Sequence, residues 1–287
     1  MTAASFPVER RYLALRAPKD LGLSLPAGAQ LHLRSAGDPE RPLLLLLHQA
    51  PSHSAMFEPL MQLLASHYCC VAPDLPGCGQ SDALISSEQH TASISALAAC
   101  LTCSLASLQL DASPVAAIVG HHTGAAVAAE MAAFWLPGLQ AAVLSGPPLL
   151  DETLRQRLQN MPYPLPSSDD GSHLLPLWQY LRAKDPALPL AITERELCSA
   201  LQLGKGYQQL YQAVAAHDFA GCLRQIACPT LLMAGQQDAL YAAMPASLKL
   251  LKQGQLQDLG MAGTYVFERQ PELLANVITD FLTSRGV

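Results

Sequence analysis

The stretch from Leu43 to Asp82 reads LLLLLHQAPSHSAMFEPLMQLLASHYCCVAPDLPGCGQSD. Its apolar opening, Pro42 to His48, predicts a strand buried on both faces. Met56 to Ser66 follows with helical spacing, and Cys69 to Ala72 predicts a second, short strand. Upstream lie two β-like segments, Arg10 to Leu15 and Gln30 to Arg34. Downstream, Ser93 to Leu108 is helical, Val115 to Val119 is a strand closed by Gly120, Gly124 to Phe134 is an Ala-rich helix, and Ala141 to Ser145 is again a strand. Strands alternating with helices imply an α/β protein: a mostly parallel sheet covered by helices on both faces.

The rhythm breaks at Gly146-Pro147-Pro148 and resumes at Cys228 to Gly235, CPTLLMAG. Between them runs an insert with Tyr163, Trp178, Tyr180, Tyr207 and Tyr211 and with helical patterns near Asp151 to Leu158, Leu174 to Ala183 and Thr193 to Leu203. The organisation expected is therefore a core of residues 1–146 and 227–287 with a helical lid, 147–226, inserted in it. The chain closes with a helix from about Tyr241, a strand near Leu256 to Leu259 and a helix over Pro271 to Thr283. The Gly204-Lys205-Gly206 triplet lacks the rest of a phosphate loop and predicts a helix end.

With 287 residues, half of them hydrophobic and 14% charged, the chain can bury a large core. A net charge of −6 and scattered basic residues argue against nucleic acid as a partner. The longest aliphatic run, Leu43 to Leu47, falls far short of the roughly 20 residues of a membrane span, and the first residues lack the pattern of a signal peptide. A cytoplasmic protein with no membrane partner is expected, and its eight cysteines are expected to be reduced thiols. Cys100 and Cys103 have the spacing of a redox pair but lie inside a helical pattern, which points to a buried helix face instead.

The opening stretch resembles the α/β-hydrolase superfamily, whose members typically show a strand ending in His-Gly-x-Pro and, further on, Asp-x-Pro-Gly-x-Gly-x-Ser-Asp. Here these correspond to His48 and Pro51, with Gln49 in the glycine's place, and to Asp74, Pro76, Gly77, Gly79, Ser81 and Asp82. The nucleophile elbow, a strained strand-to-helix turn flanked by small residues, corresponds to Gly120-His121-His122-Thr123-Gly124. Gly235-Gln236-Gln237-Asp238 places Asp238 where the family's triad acid usually sits. The family's triad histidine, counted back from the Gln-Pro-Glu helix start, falls on Thr264. The resemblance thus implies an inserted-lid hydrolase fold, with His122 at the serine position and Thr264 at the histidine position.

Thr264 cannot accept a proton near neutral pH, so the acyl-enzyme route of a serine triad is not supported. The oxyanion hole that the resemblance implies is made of backbone N–H groups, those of Ala50 and Thr123, and needs no particular side chain. Gln49 beside them either crowds the hole or adds a donor. His122, at a helix N-terminus that disfavours positive charge, is expected as a neutral imidazole and a general base. Asp238 is read either as its orienting partner or as a relic bonded to loop backbone.

His121 is expected to be structural, His48 to brace its loop at the pocket's border, and His53 to line the pocket or face solvent. No metal is expected, because no carboxylate pattern of metal-binding type accompanies these histidines. Asp74 and Asp82 read as turn residues. Tyr163, Trp178, Tyr207 and Tyr211 either shape an apolar pocket or belong to the core. Two functions remain open: a cofactor-independent enzyme acting on a small, fairly apolar carbonyl or ester compound, by hydrolysis or by lyase or decarboxylase chemistry, or a non-catalytic ligand-binding or regulatory protein. The oligomeric state is not legible.

Overall fold

The computed structural model describes residues 6–21, 23–84, 93–108 and 115–287. In chain order the core elements are β1 (Glu9–Ala14), β2 (Gln30–Ala36), β3 (Leu43–Leu47), α1 (Glu58–Leu64), β4 (Cys69–Pro73), α2 (Ile94–Leu105), β5 (Val115–His121), α3 (Thr123–Glu130) and β6 (Ala141–Ser145). Between β6 and β7 (Thr230–Ala234) come α4 (Glu152–Gln159), α5 (Leu174–Lys184), α6 (Leu190–Leu203), α7 (Lys205–Ala216) and α8 (Phe219–Gln225). After β7 follow α9 (Met244–Leu248), β8 (Gly254–Asp258), α10 (Val266–Arg269) and α11 (Pro271–Thr283).

The strands form one sheet in the order β1-β2-β4-β3-β5-β6-β7-β8. β2 pairs antiparallel with both β1 and β4, and every pairing from β4 to β8 is parallel. The leucine run explains itself at β3. Leu43, Leu45 and Leu47 point into the core that α2 and α3 cover, while Leu44 and Leu46 point into the core covered by α1 and α11. A strand buried on both faces has no polar face to alternate with, and each leucine gains about 1.5–3 kcal/mol from leaving water.

The sequence reading misses α7 and α8, whose polar residues obscure an amphipathic stripe. Leu210, Ala213 and Val214 of α7 and Phe219, Cys222 and Leu223 of α8 bury that stripe in the first core. The Ala-rich helix is α only as far as Glu130; Met131–Trp135 continue as a π-turn. Gly204 ends α6 with φ at 52°, and Cys100 is fully buried in α2 with its thiol pushed up to about 12 by burial. None of the eight cysteines forms a disulfide. No described helix is long and apolar enough to cross a membrane.

One buried ion cluster joins the insert to the core. Arg195 of α6 lies 2.5 Å from Glu268 of α10 and 2.8 Å from the neighbouring Glu196. Burial, and secondarily the charge of Glu196, push Glu268 up to about 7 against the opposing pull of Arg195. A carboxyl raised in this way keeps a proton in the folded chain that the unfolded chain has already released. Its contribution favours folding at low pH and declines as pH rises from the ordinary glutamate range to about 7. Glu268→Gln should therefore gain stability relative to wild type, on the order of 1–3 kcal/mol, between pH 5 and pH 8. His48, His53 and His121 are shifted down by burial and act in the opposite sense, but equally in both proteins. Urea unfolding of the pair at the two pH values reads the difference directly, and a difference that does not change with pH refutes the assignment.

Candidate active site

β5 ends at His121, and the next residue, His122, has φ 49° and ψ −109° before α3 begins at Thr123. A side chain held there costs about 1–3 kcal/mol, so the surroundings must enforce the turn. They do so by close packing. A Cβ on Gly124 would strike the Leu47 carbonyl and lie 2.7 Å from the His48 carbonyl oxygen, and one on Gly120 would strike the Gly124 carbonyl. Two glycines thus let the first turn of α3 rest on the end of β3, which brings Gln49 and Ala50 beside Thr123.

β5, β6 and β7 are neighbours, and the loop after β7 carries Asp238. The His122 imidazole crosses the end of β6, where a Cβ on Gly146 would lie 2.5 Å from Nε2. Beyond it, Nε2 is 2.7 Å from Asp238 Oδ2, and Asp238 Oδ1 accepts the Leu240 N–H at 2.8 Å. Burial raises the Asp238 carboxyl, but the hydrogen bonds it accepts from the His122 ring and the Leu240 N–H overcome this and bring it down to about 2. Asp238 is a carboxylate across the physiological range. With the Nε2 hydrogen donated to that carboxylate, Nδ1 carries the lone pair; it has no partner among the described residues and is not sealed from solvent. Both readings of Asp238 meet here, since it bonds loop backbone through one oxygen and His122 through the other.

His121 is fully buried, as a structural residue should be. Its Nε2 donates to the Thr264 carbonyl at 2.7 Å, Ser145 Oγ lies 3.0 Å from Nδ1, and burial pushes it down to about 3, so it is neutral. Its ring lies 4.2 Å from that of His122, supporting one face of it. The ligand atoms of His121, His122 and Asp238 lie within 4.8 Å of one another, but these hydrogen bonds already engage both nitrogens of His121 and Nε2 of His122.

A cavity of about 270 Å³ opens over this dyad. Its floor is Gln49, Ala50, His122, Thr123 and Thr264, with Leu240 at the side. The N–H groups of Ala50 and Thr123 meet no acceptor among the described residues. Gln49 lines the cavity beside them. The roof comes from the insert: Leu150, Leu154, Leu158, Met161, Tyr180 and Tyr211, with Arg157 and Lys184 among them.

Four expected pocket residues lie elsewhere. His48 is fully buried below the loop, its Nδ1–H donated to the Gln49 carbonyl and its Nε2 accepting the Leu75 N–H, both at 2.8 Å. His53 caps the short turn Ser54–Phe57 by accepting the Ala55 N–H. Trp178 lies two residues from Tyr180 on α5, hence on a different face of that helix. Tyr163 stands behind the lining, stacked on Tyr180 with ring centroids 4.9 Å apart. Asp74 and Asp82 are turn residues as read: Asp74 accepts from Ser54, Gln80 and the His32 ring, and Asp82 accepts the Gln30 N–H. Arg157 and Lys184 were missed; the four-residue step from Tyr180 to Lys184, which puts both on one helix face, was the available signal.

A parallel sheet with an elbow after its central strand, backbone donors beside it and an acid two strands away defines the α/β-hydrolase architecture. The model of the α/β hydrolase fold family matches residues 42–271, and the chain belongs to that family. It is similar to an uncharacterised hydrolase of Saccharomyces cerevisiae, with 46% identity over 52 residues, a match that spans 18% of this chain and 18% of that relative. Among solved structures, a thermophilic esterase from Thermogutta terrifontis superposes with a TM-score of 0.76 at 19% identity, over 97% of this chain and 100% of that one. An enol-lactonase from Burkholderia xenovorans does so with a TM-score of 0.70 at 16% identity, over 91% and 99%. At such identities the likeness is one of fold.

Proposed function

We propose that the chain is a cofactor-independent hydrolase of a small carbonyl compound, an ester or lactone, in which the His122–Asp238 dyad activates water directly and the insert acts as the lid over the substrate. The observation that carries this reading is the 2.7 Å contact of His122 Nε2 with Asp238, which turns Nδ1 toward chemistry. The substrate carbonyl oxygen sits on the N–H groups of Ala50 and Thr123. Nδ1 takes a proton from water as its oxygen bonds to the carbonyl carbon, and the negative charge that develops is held by the two amides. Asp238 stabilises the imidazolium, which then gives its proton to the departing alkoxide as the C–O bond breaks. No acyl-enzyme forms, and nothing is required of Thr264 beyond shaping the cavity.

The test is turnover of short-chain aryl esters by wild type and His122→Ala, corrected for the background of an exposed imidazole. Activity above background that disappears in the variant supports the mechanism. Equal rates, or none in either protein, overturn it and favour a ligand-binding role on the same cavity.

A further inference from the structure

We infer that the substrate carries a carboxylate at the end away from its reacting carbonyl, and that Lys184 and Arg157 form the subsite for that charge; this rests on reading the cavity as the substrate site. Lys184 Nζ lies 4.9 Å from the centroid of the Tyr180 ring, which is itself backed by Tyr163. Tyr180, Lys184 and, from α4, Arg157 all line the cavity roof, and among the described residues no aspartate or glutamate lines the cavity.

Two other cations of the insert have carboxylate partners, Arg155 with Glu152 and Arg195 with Glu196 and Glu268, and Arg182 donates to the carbonyls of Pro186 and Leu188. Among the described residues no carboxylate lies within 4.0 Å of Lys184 or Arg157. Glu196, whose charge reaches Lys184, is engaged by Arg195. The chain has 23 acidic residues against 17 basic ones, so two unpaired cations converging on one mostly apolar cavity stand against the trend of its composition. A half-buried ammonium loses hydration that the Tyr180 face only partly replaces, and an anionic ligand supplies the rest. The remaining roof, Leu150, Leu154, Leu158 and Met161, suits a short aliphatic chain between the two polar ends. Half-esters of short dicarboxylic acids, and lactones bearing a carboxylate, have that shape.

Calorimetric titration with hexanoate and with hexanamide, its neutral counterpart of nearly equal size, tests the subsite without any turnover. Wild type should bind hexanoate at least about tenfold more tightly than hexanamide. Lys184→Met should lose most of that preference while binding hexanamide as before, and His122→Ala should keep it, since the charge is not read at the elbow. Should Lys184→Met not fold, Arg157→Met, at an exposed position, must still reduce the preference at least threefold. Equal binding of the two ligands, a preference untouched by the roof substitutions, or no binding of either overturns the inference. A preference that depends on Lys184 in a protein without esterase activity would keep the subsite and remove the hydrolytic mechanism; turnover that depends on His122 without any preference for the anion would do the reverse.

Discussion

His122→Ala is expected to lower ester turnover by about 10²–10⁴-fold, the range a positioned general base supplies. The loss should fall on kcat, because the cavity walls and the donors at Ala50 and Thr123 remain to bind substrate. Asp238→Asn is expected to do nearly as much damage for a different reason. Its amide oxygen would stay on the Leu240 N–H, where Oδ1 now accepts at 2.8 Å, and its NH₂ would face Nε2. The imidazole would then hold its hydrogen on Nδ1, and the lone pair would leave the cavity. A pH–rate profile separates the two effects: Asp238→Asn should lose rate at every pH where the wild type is active, rather than merely shift the profile. If Asp238→Asn retains full activity, Nδ1 is not the base.

The second large effect is on stability. Gly124→Ala places a Cβ against the carbonyls of Leu47 and His48, backbone atoms at the end of a strand buried on both faces, so neither partner can yield cheaply. An ordinary glycine-to-alanine change within a helix gains up to about 1 kcal/mol, and the collision should reverse that sign to a loss of about 3 kcal/mol. For a chain of this size the melting temperature should fall by roughly 5 °C. Gly138→Ala is the matched control, since a Cβ there meets nothing within 4 Å. Equal melting temperatures for the two variants would show that α3 does not depend on this close approach.

What was legible in the sequence follows from where the information lies. The β3 leucines, the elbow glycines and the Gly-x-x-Asp after β7 are local signals whose meaning does not depend on distant packing, and the structure places all of them in the sheet framework expected. The direct bond between His122 and Asp238 was harder to see, because it requires knowing that only one strand separates their loops and that its end is the bare Gly146. The roof of the cavity was the least legible part. Trp178 and Tyr180 are equally aromatic neighbours in sequence, and only the docking of α5 decides which of them faces the cavity. His48 and His53 were drawn to the cavity by their position in the loop, but backbone groups close by claim their ring nitrogens first.

The sheet also acts as a ruler. Strands lie about 4.7–4.9 Å apart, so the elbow after β5 and the acid after β7 are separated by two such steps, with β6 between them. A hydroxymethyl or thiol side chain at position 122 is too short for that gap and would need a third residue as a relay. Imidazole is long enough to close it alone. Reach, rather than acidity, therefore lets residues 122 and 238 bond with no third side chain between them, and residue 264 stands outside that bond: its carbonyl anchors His121 while the residue lines the cavity.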